Sequence, residues 1–125
     1  MNILFVDDII INRVILSELV SKLGHNYSHA QNGKEAIEML QTHTFDLVLM
    51  DIEMPVMNGI EAVQKIRLSN SQLSEIPVIA LTAHNADDFF DEYGDVGFNE
   101  LVTKPYLLDK IERVILKVTN KWKHK

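Results

Sequence analysis

Five residues of this sequence have side chains that together suit phosphoryl chemistry: Asp7, Asp8, Asp51, Thr82 and Lys104. Three carboxylates packed together repel one another and stay ionised at neutral pH only when a cation neutralises them. Oxygen ligands suit a hard divalent ion, and Mg²⁺ leaves room for a phosphate among its ligands. An aspartate can act as the nucleophile of phosphoryl transfer, a lysine supplies a positive point charge and a threonine supplies a hydroxyl. The set therefore indicates a Mg²⁺-dependent phosphoacceptor site, provided that the fold brings the five residues together.

Each of these residues comes directly after a short run that favours a β-strand. The runs are Ile3–Val6, Phe45–Met50, Pro77–Leu81 and Phe98–Thr103, and the more polar Asn26–Ala30 is a weaker candidate for a strand at a sheet edge. Continuous apolar runs of this length are typical of strands that are buried on both faces of a parallel sheet.

Helical patterns separate the strand candidates. They lie over Asn12–Leu23, from Asn32 and Gly33 onward, over Gly59–Leu68, over the acidic Asn85–Tyr93, and from Tyr106 to about Trp122. Strict alternation of strands and helices predicts an α/β fold, a doubly wound five-stranded parallel sheet with helices on both faces. In such sheets ligands bind beyond the carboxyl ends of the strands, so the five polar residues should meet at that edge.

Composition narrows the function classes. The chain has 125 residues, no cysteine and a net charge of −6, which predicts one domain over residues 1–125 without a disulfide framework or thiolate zinc site. Residues 1–103 contain 5 basic and 16 acidic residues and residues 104–125 contain 7 and 2, net charges of −11 and +5. An acidic body disfavours nucleic acid as the main partner. The apolar runs are too short to span a membrane and the start lacks a signal-peptide pattern, so we expect a cytoplasmic protein.

The motifs of this sequence resemble those of response-regulator receiver domains of two-component signalling. They are Asp7-Asp8, the stretch from Leu47 to Gly59 around Asp51, Leu81-Thr82-Ala83 and Thr103-Lys104-Pro105, in order and at family spacing along essentially the whole chain. Asn12-Arg13 and the stretch from Asn32 to Ala36 also resemble receivers of hybrid histidine kinases. The resemblance implies a flavodoxin-like sheet with strand order 2-1-3-4-5.

The resemblance also implies a role for each site residue. Asp51 would accept a phosphoryl group from a phosphohistidine of a histidine kinase or histidine phosphotransfer protein. Asp8, Asp51 and the main-chain carbonyl of Glu53 would bind Mg²⁺, and Asp7 would hold a metal-bound water. Lys104, with a cis bond to Pro105, would pair with the phosphoryl group, and Thr82 would move towards it. Such a protein is a signalling switch rather than a turnover enzyme, and it presents its fourth helix, fifth strand and fifth helix to a partner or to a second copy in a phosphorylation-dependent dimer.

Some positions leave two interpretations open. Leu101 stands where such receivers often have the aromatic switch residue, which puts the usual coupling to Thr82 in doubt. Tyr106 fits ordinary core or surface better than a substitute switch. Glu53 and His84 stand two residues after Asp51 and Thr82, where side chains tune the lifetime of the aspartyl-phosphate.

Two segments also have a plain and a functional interpretation. Residues 9–11 are three isoleucines, and we expect one or two of them to pack under the first helix; the alternative is an apolar docking surface beside Asp51 for a helical phosphotransfer partner. The plain interpretation of the acidic, aromatic segment 87–95 is a solvated helix, and the alternative is a docking surface for a basic partner.

Three other classes fit the residues less well. A hydrolase of the haloacid-dehalogenase type needs an Asp-x-Asp pair after its first strand, whereas Asp7 and Asp8 are adjacent, and its core and cap need a longer chain. A flavodoxin-like carrier needs a Ser/Thr/Gly-rich phosphate loop after the first strand, which is missing here. A pseudo-receiver typically lacks one of the acidic or lysine positions, and this sequence has them all.

Overall fold

The computed structural model describes residues 1–54, 56–69, 71–83 and 85–123 of the chain. The strands are β1 (Asn2–Val6), β2 (Asn26–Ala30), β3 (Leu47–Asp51), β4 (Val78–Thr82) and β5 (Glu100–Thr103). The helices are α1 (Ile10–Lys22), α2 (Gly33–Thr42), α3 (Gly59–Arg67), α4 (Ala86–Tyr93) and α5 (Leu108–Lys123), with a 3₁₀ turn at Gln72–Glu75. Within these ranges no helix has the length and apolar character that crossing a bilayer requires.

The five strands form one parallel sheet in the order β2-β1-β3-β4-β5. This confirms the predicted architecture and strand order. Several bounds differ by one or two residues from the sequence prediction, and the 3₁₀ turn was not predicted. For example, α1 begins at Ile10 rather than Asn12, α5 at Leu108 rather than Tyr106 and β5 at Glu100 rather than Phe98. Asp51 and Thr82 are the last residues of β3 and β4, so their backbones are fixed by the ladder with the neighbouring strands.

Alternating side chains of the strands build two apolar layers, one on each face of the sheet. In the first layer, strand residues pack against α2, α3 and α4. The strand residues are Leu4, Val6, Val48, Met50, Val78 and Ala80, and the helix residues are Ala36, Leu40, Ala62, Val63, Ile66 and Phe89. In the second layer, strand residues pack against α1 and α5. The strand residues are Ile3, Phe5, Leu47, Leu49, Ile79 and Leu81, and the helix residues are Leu16, Val20, Ile111, Ile115 and Val118. Burial on both faces explains why these strands read as continuous apolar runs.

Asparagine side chains begin three of the helices. The side-chain oxygens of Asn32, Asn58 and Asn85 accept hydrogen bonds from the main-chain N–H three residues later, which satisfies one of the free donors of α2, α3 and α4. Gly59 follows Asn58 at a close approach, because a Cβ at this position would lie 2.3 Å from the main-chain oxygen of Asp51. Only glycine therefore lets α3 begin directly against the end of β3.

Arg67, at the end of α3, ties together the loops that precede β4 and β5. Its guanidinium donates to the main-chain oxygens of Gly97, Ser74 and Ile76 and to the side-chain oxygen of Asn99, at distances from 2.7 to 3.0 Å. Burial lowers the pKa of Arg67. Gly97 has φ of +121°, and a Cβ there would lie 2.8 Å from Cγ of Arg67, so the clamp requires glycine.

We predict that Arg67→Lys lowers the free energy of unfolding by roughly 2–4 kcal/mol, because one ammonium group cannot reach carbonyls that a planar guanidinium reaches together and leaves some of them buried without donors. Urea unfolding followed by circular dichroism measures this loss. Arg113→Lys on the exposed side of α5 is the matched control and should change stability by less than about 0.5 kcal/mol. Equal stability of the two variants would contradict the clamp.

Candidate functional site

The carboxyl ends of the strands bring the predicted acidic residues together. Asp7 is buried directly after β1, Asp8 is exposed beside it, and Asp51 is buried at the end of β3. Each offers a carboxylate oxygen, and the three oxygens lie within 4.8 Å of one another. Lys104 follows β5 at the same edge and places its Nζ 3.5 Å from Oδ1 of Asp51.

The Asp51 carboxylate has one satisfied and one unsatisfied oxygen. Oδ1 accepts a hydrogen bond from the main-chain N–H of Glu53 at 3.0 Å and faces Lys104. Oδ2 is buried and has no hydrogen-bond donor in the described part of the chain. Buried carboxylate oxygens normally have partners, so this oxygen is available to an electrophile or a cation.

Burial raises the pKa of Asp51 from 3.8 to about 6. The N–H of Glu53 opposes this shift, the nearby charge of Asp7 adds to it, and Lys104 opposes it. Net destabilisation of the ionised form means that the existing donors do not fully compensate for the removal of this carboxylate from water. A divalent cation at the Asp7, Asp8 and Asp51 oxygens would supply the missing positive charge.

Asp7 is held on both of its oxygens. Oδ1 accepts from the main-chain N–H of Ile9 at 3.0 Å and from Nδ2 of Asn12 at 3.4 Å. Oδ2 accepts from the hydroxyl of Tyr106 at 3.0 Å. Burial, followed by the charge of Asp7, raises the pKa of Tyr106, so the hydroxyl stays protonated and donates. Arg13 adds a 2.7 Å hydrogen bond to the main-chain oxygen of Asp7.

The other predicted residues that the structure describes differ in burial and surroundings. Thr82 is buried at the end of β4 and pairs in register with Thr103, next to Lys104. Glu53 is exposed, and His84 lies outside the described residues. Leu101 is half-buried in β5 and packs against the layer that contains α4. The Lys104–Pro105 bond is cis, as the resemblance implies.

The contacts of Asn12, Arg13 and Tyr106 with Asp7 were not predicted from the sequence. The sequence points to Asn12 and Arg13 only through the family resemblance, and it predicts ordinary core or surface for Tyr106. The sequence nevertheless contains a usable signal for this contact. Tyr106 has a largely apolar ring with a hydroxyl, and it lies in the loop that follows Lys104, at the edge where the acids meet. A hydroxyl buried at that edge needs an acceptor.

A family model described as the response regulator receiver domain matches residues 3–116. The match spans most of the chain, and the chain belongs to this family. It is therefore a receiver domain of two-component phosphorelay signalling, which acts as a signalling switch. The resemblance drawn from the motifs is confirmed.

Individual relatives agree with this assignment. The aerobic respiration control sensor protein ArcB of Escherichia coli (strain K12) is 32% identical over 117 residues, which cover 94% of this chain and 15% of ArcB. Among solved structures, the chemotaxis response regulator CheY4 of Vibrio cholerae has a TM-score of 0.86 at 30% identity over 94% of this chain and 97% of CheY4. The receiver domain of a Pseudomonas aeruginosa PAO1 sensor histidine kinase, with a magnesium ion coordinated in its active site cleft, has a TM-score of 0.84 at 26% identity, covering 94% and 95% of the two chains.

The raised pKa of Asp51 makes stability depend on pH in a defined direction. Without metal, the folded protein binds more protons than the unfolded chain between pH 3.8 and about 6, so stability falls as the pH rises through this window. We predict that Asp51→Asn stabilises the metal-free protein at neutral pH by roughly 3 kcal/mol, since about 1.4 kcal/mol corresponds to one pKa unit.

Urea unfolding in EDTA at about pH 4 and about pH 8 measures this effect across the titration window of a buried carboxyl. The stability gain of Asp51→Asn over the unmodified protein should be larger at the higher pH, whereas Asp91→Asn, at an exposed position on α4, should show no such trend. A gain that does not change with pH would contradict the raised pKa.

Proposed function

We propose that this protein accepts a phosphoryl group on Asp51 in a Mg²⁺-dependent reaction and thereby switches a protein-interaction surface. The single observation that carries this proposal is the buried, unpartnered Oδ2 of Asp51, beside Lys104 and two further carboxylates. A buried carboxylate oxygen that accepts no hydrogen bond from the described part of the chain can act as a nucleophile toward a phosphorus electrophile. Family membership supports the same reaction.

The donor set fits Mg²⁺. Asp8 and Asp51 are the proposed direct ligands together with the main-chain carbonyl of Glu53, and Asp7 is the proposed partner of a metal-bound water. All are hard oxygen ligands, which Mg²⁺ prefers. The bound ion would neutralise negative charge on the carboxylates and on the transferring phosphoryl oxygens. The magnesium ion in the Pseudomonas aeruginosa receiver supports this assignment by similarity.

The residues of the chain divide the work of the transfer. An Asp51 oxygen forms the new bond to phosphorus while the bond from phosphorus to the donor's imidazole nitrogen breaks and its electron pair leaves with the imidazole. Lys104, now 3.5 Å from Oδ1 of Asp51, would follow the developing charge onto the phosphoryl oxygens. Thr82 would contribute its hydroxyl from the end of β4. Glu53 and His84 are proposed to tune the later attack of water on the aspartyl-phosphate.

The proposed output surface consists of α4, β5 and α5. Thr82 and Lys104 stand at adjacent strand ends, and the N–H of Lys104 donates to the carbonyl of Thr82 at 2.8 Å. A shift of either residue therefore acts on β5 and on the loops to α4 and α5. Leu101 is the proposed switch position, where its packing against the α4 layer would change in place of an aromatic rotation.

The first turn of α1 supports a docking role beside the pocket. Ile9, Ile10 and Ile11 are 48%, 69% and 60% exposed, so the expectation that one or two of them pack under the helix is wrong. Val14 and Ile15 extend the exposed surface by one turn. A histidine kinase or histidine phosphotransfer protein must approach Asp51 past this edge, and we propose that its helix covers these residues, the α1 apolar surface.

The remaining assignments are proposals as well. The chain acts as one receiver unit over residues 1–125 in the cytoplasm, without a nucleic-acid or membrane partner. Phosphorylation brings two copies together through the output surface, which size-exclusion chromatography with and without a phosphodonor would detect. The acidic exposed residues of α4, including Asp87, Asp88 and Asp91, belong to that surface and favour a basic partner.

We predict that incubation with Mg²⁺ and a small-molecule phosphodonor adds one phosphoryl group to the protein, detected by intact mass. Asp51→Asn and addition of a chelator should each abolish the label, because they remove the nucleophile and the cation. Asp91→Asn, which removes an exposed acid of α4, should leave the label unchanged. An unmodified protein that takes up no label, even from a cognate kinase, would disprove the proposed function.

A second prediction concerns the α1 apolar surface. Ile10→Ser should reduce kcat/KM for phosphotransfer from the cognate phosphohistidine donor about five- to tenfold, the usual cost of truncating a central interface residue. Labelling by the small phosphodonor should be unaffected, because that reaction needs no docking. Leu68→Ser, an exposed position at the end of α3, is the matched control. If Ile10→Ser slowed both reactions equally, the docking role would be rejected.

A further inference from the structure

The proposed transfer assigns no role to the hydroxyl of Tyr106, which lies in the pocket. It donates to Oδ2 of Asp7 across a buried contact of 3.0 Å between residues that are 99 positions apart in the chain. The ring is only 9% exposed and packs in the apolar layer under α1 and α5. An apolar ring of the same shape would fill that layer without a hydroxyl, so the hydroxyl needs an explanation of its own.

The three donors to the Asp7 carboxylate restrain it in different ways. The N–H of Ile9 and the amide of Asn12 both reach Oδ1, and two contacts to one oxygen leave the carboxylate plane free to swing about it. The Tyr106 hydroxyl reaches the other oxygen, and a contact there fixes the plane. Removing this single donor therefore changes the orientation of the carboxylate more than its location.

We propose that Tyr106 is a positioning residue for the cation site, because its hydroxyl holds the plane of the Asp7 carboxylate in the orientation that the site uses. This inference rests on the proposed function, which assigns Asp7 to the Mg²⁺ site. A side chain that is already ordered loses no rotational freedom when the cation binds, and partners of this kind typically change metal affinity 10- to 100-fold. Tyr106 is carried by the same loop as Lys104, so one loop restrains both Asp7 and Asp51.

The experiment compares Mg²⁺ affinity, measured by isothermal titration calorimetry, for the unmodified protein and Tyr106→Phe. The substitution keeps the buried ring and removes only the hydroxyl, and we expect the Kd for Mg²⁺ to rise about tenfold. Tyr27→Phe is the matched control, since it removes a tyrosine hydroxyl from the edge strand β2, where the residue is 42% exposed, and should leave the Kd unchanged.

Labelling kinetics with a small phosphodonor provide a second readout. In Tyr106→Phe the Mg²⁺ concentration that gives half-maximal labelling should rise by the same factor, while the maximal rate at saturating Mg²⁺ stays close to that of the unmodified protein. In an Asp7→Asn background the Tyr106→Phe change should have no further effect on Mg²⁺ affinity, because the two groups act as a pair.

The possible contrary results are distinguishable. A Kd for Mg²⁺ within twofold of that of the unmodified protein would overturn the positioning role and leave the proposed function intact. The same would follow if Tyr106→Phe weakened Mg²⁺ binding as much in the Asp7→Asn background as in the unmodified protein. Loss of cooperative urea unfolding in Tyr106→Phe would show that the hydroxyl serves the fold and would also overturn it. Absence of Mg²⁺ binding to the unmodified protein would overturn the cation site and with it the role of Tyr106.

Discussion

The constraint on which this structure depends is the concentration of negative charge at one edge of the sheet. Asp7 and Asp51 are both buried, and Asp8 lies beside them with an oxygen within 4.8 Å of theirs. Fixed donors compensate part of this charge: the N–H groups of Ile9 and Glu53, the hydroxyl of Tyr106 and the ammonium of Lys104. The raised pKa of Asp51 shows that the compensation is incomplete. The two parts of the proposed function, affinity for a cation and reactivity toward an electrophile, would both arise from this uncompensated charge.

The rest of the fold maintains this arrangement against its electrostatic cost. Two apolar layers bury the strands on both faces, so their ends cannot move apart without exposing core. Gly59 allows α3 to start against Asp51, and the asparagine caps fix the beginnings of the helices that face the pocket edge. At the opposite end of α3, Arg67 ties down the loops before β4 and β5. The stabilising contacts therefore lie away from the site, and they offset the loss of stability that the buried charges cause there.

Sequence reasoning predicted the elements, the sheet and the edge at which the site lies, because these depend on periodicity and on the alternation of strands and helices. The motif residues were identifiable because each one is the last residue of a strand or lies one or two residues after it. Sequence reasoning did not predict the contact of Tyr106 with Asp7 or the clamp of Arg67, since both join residues far apart and depend on side-chain geometry. It also misjudged Ile9–Ile11, because apolar character alone does not distinguish a buried helix start from an exposed one.

The loop from β5 to α5 is held by both buried acids of the pocket, through two different interactions. Lys104 faces Asp51 through an ion pair whose strength depends on the charge of that carboxylate. Tyr106 binds Asp7 through a hydrogen bond from a hydroxyl whose pKa is raised first by burial and by Asp7, and least by the charge of Asp51. When the charge at Asp51 changes, the first restraint must adjust while the second persists. The loop is therefore restrained at Tyr106 by a contact that is separate from the one that Lys104 makes with Asp51.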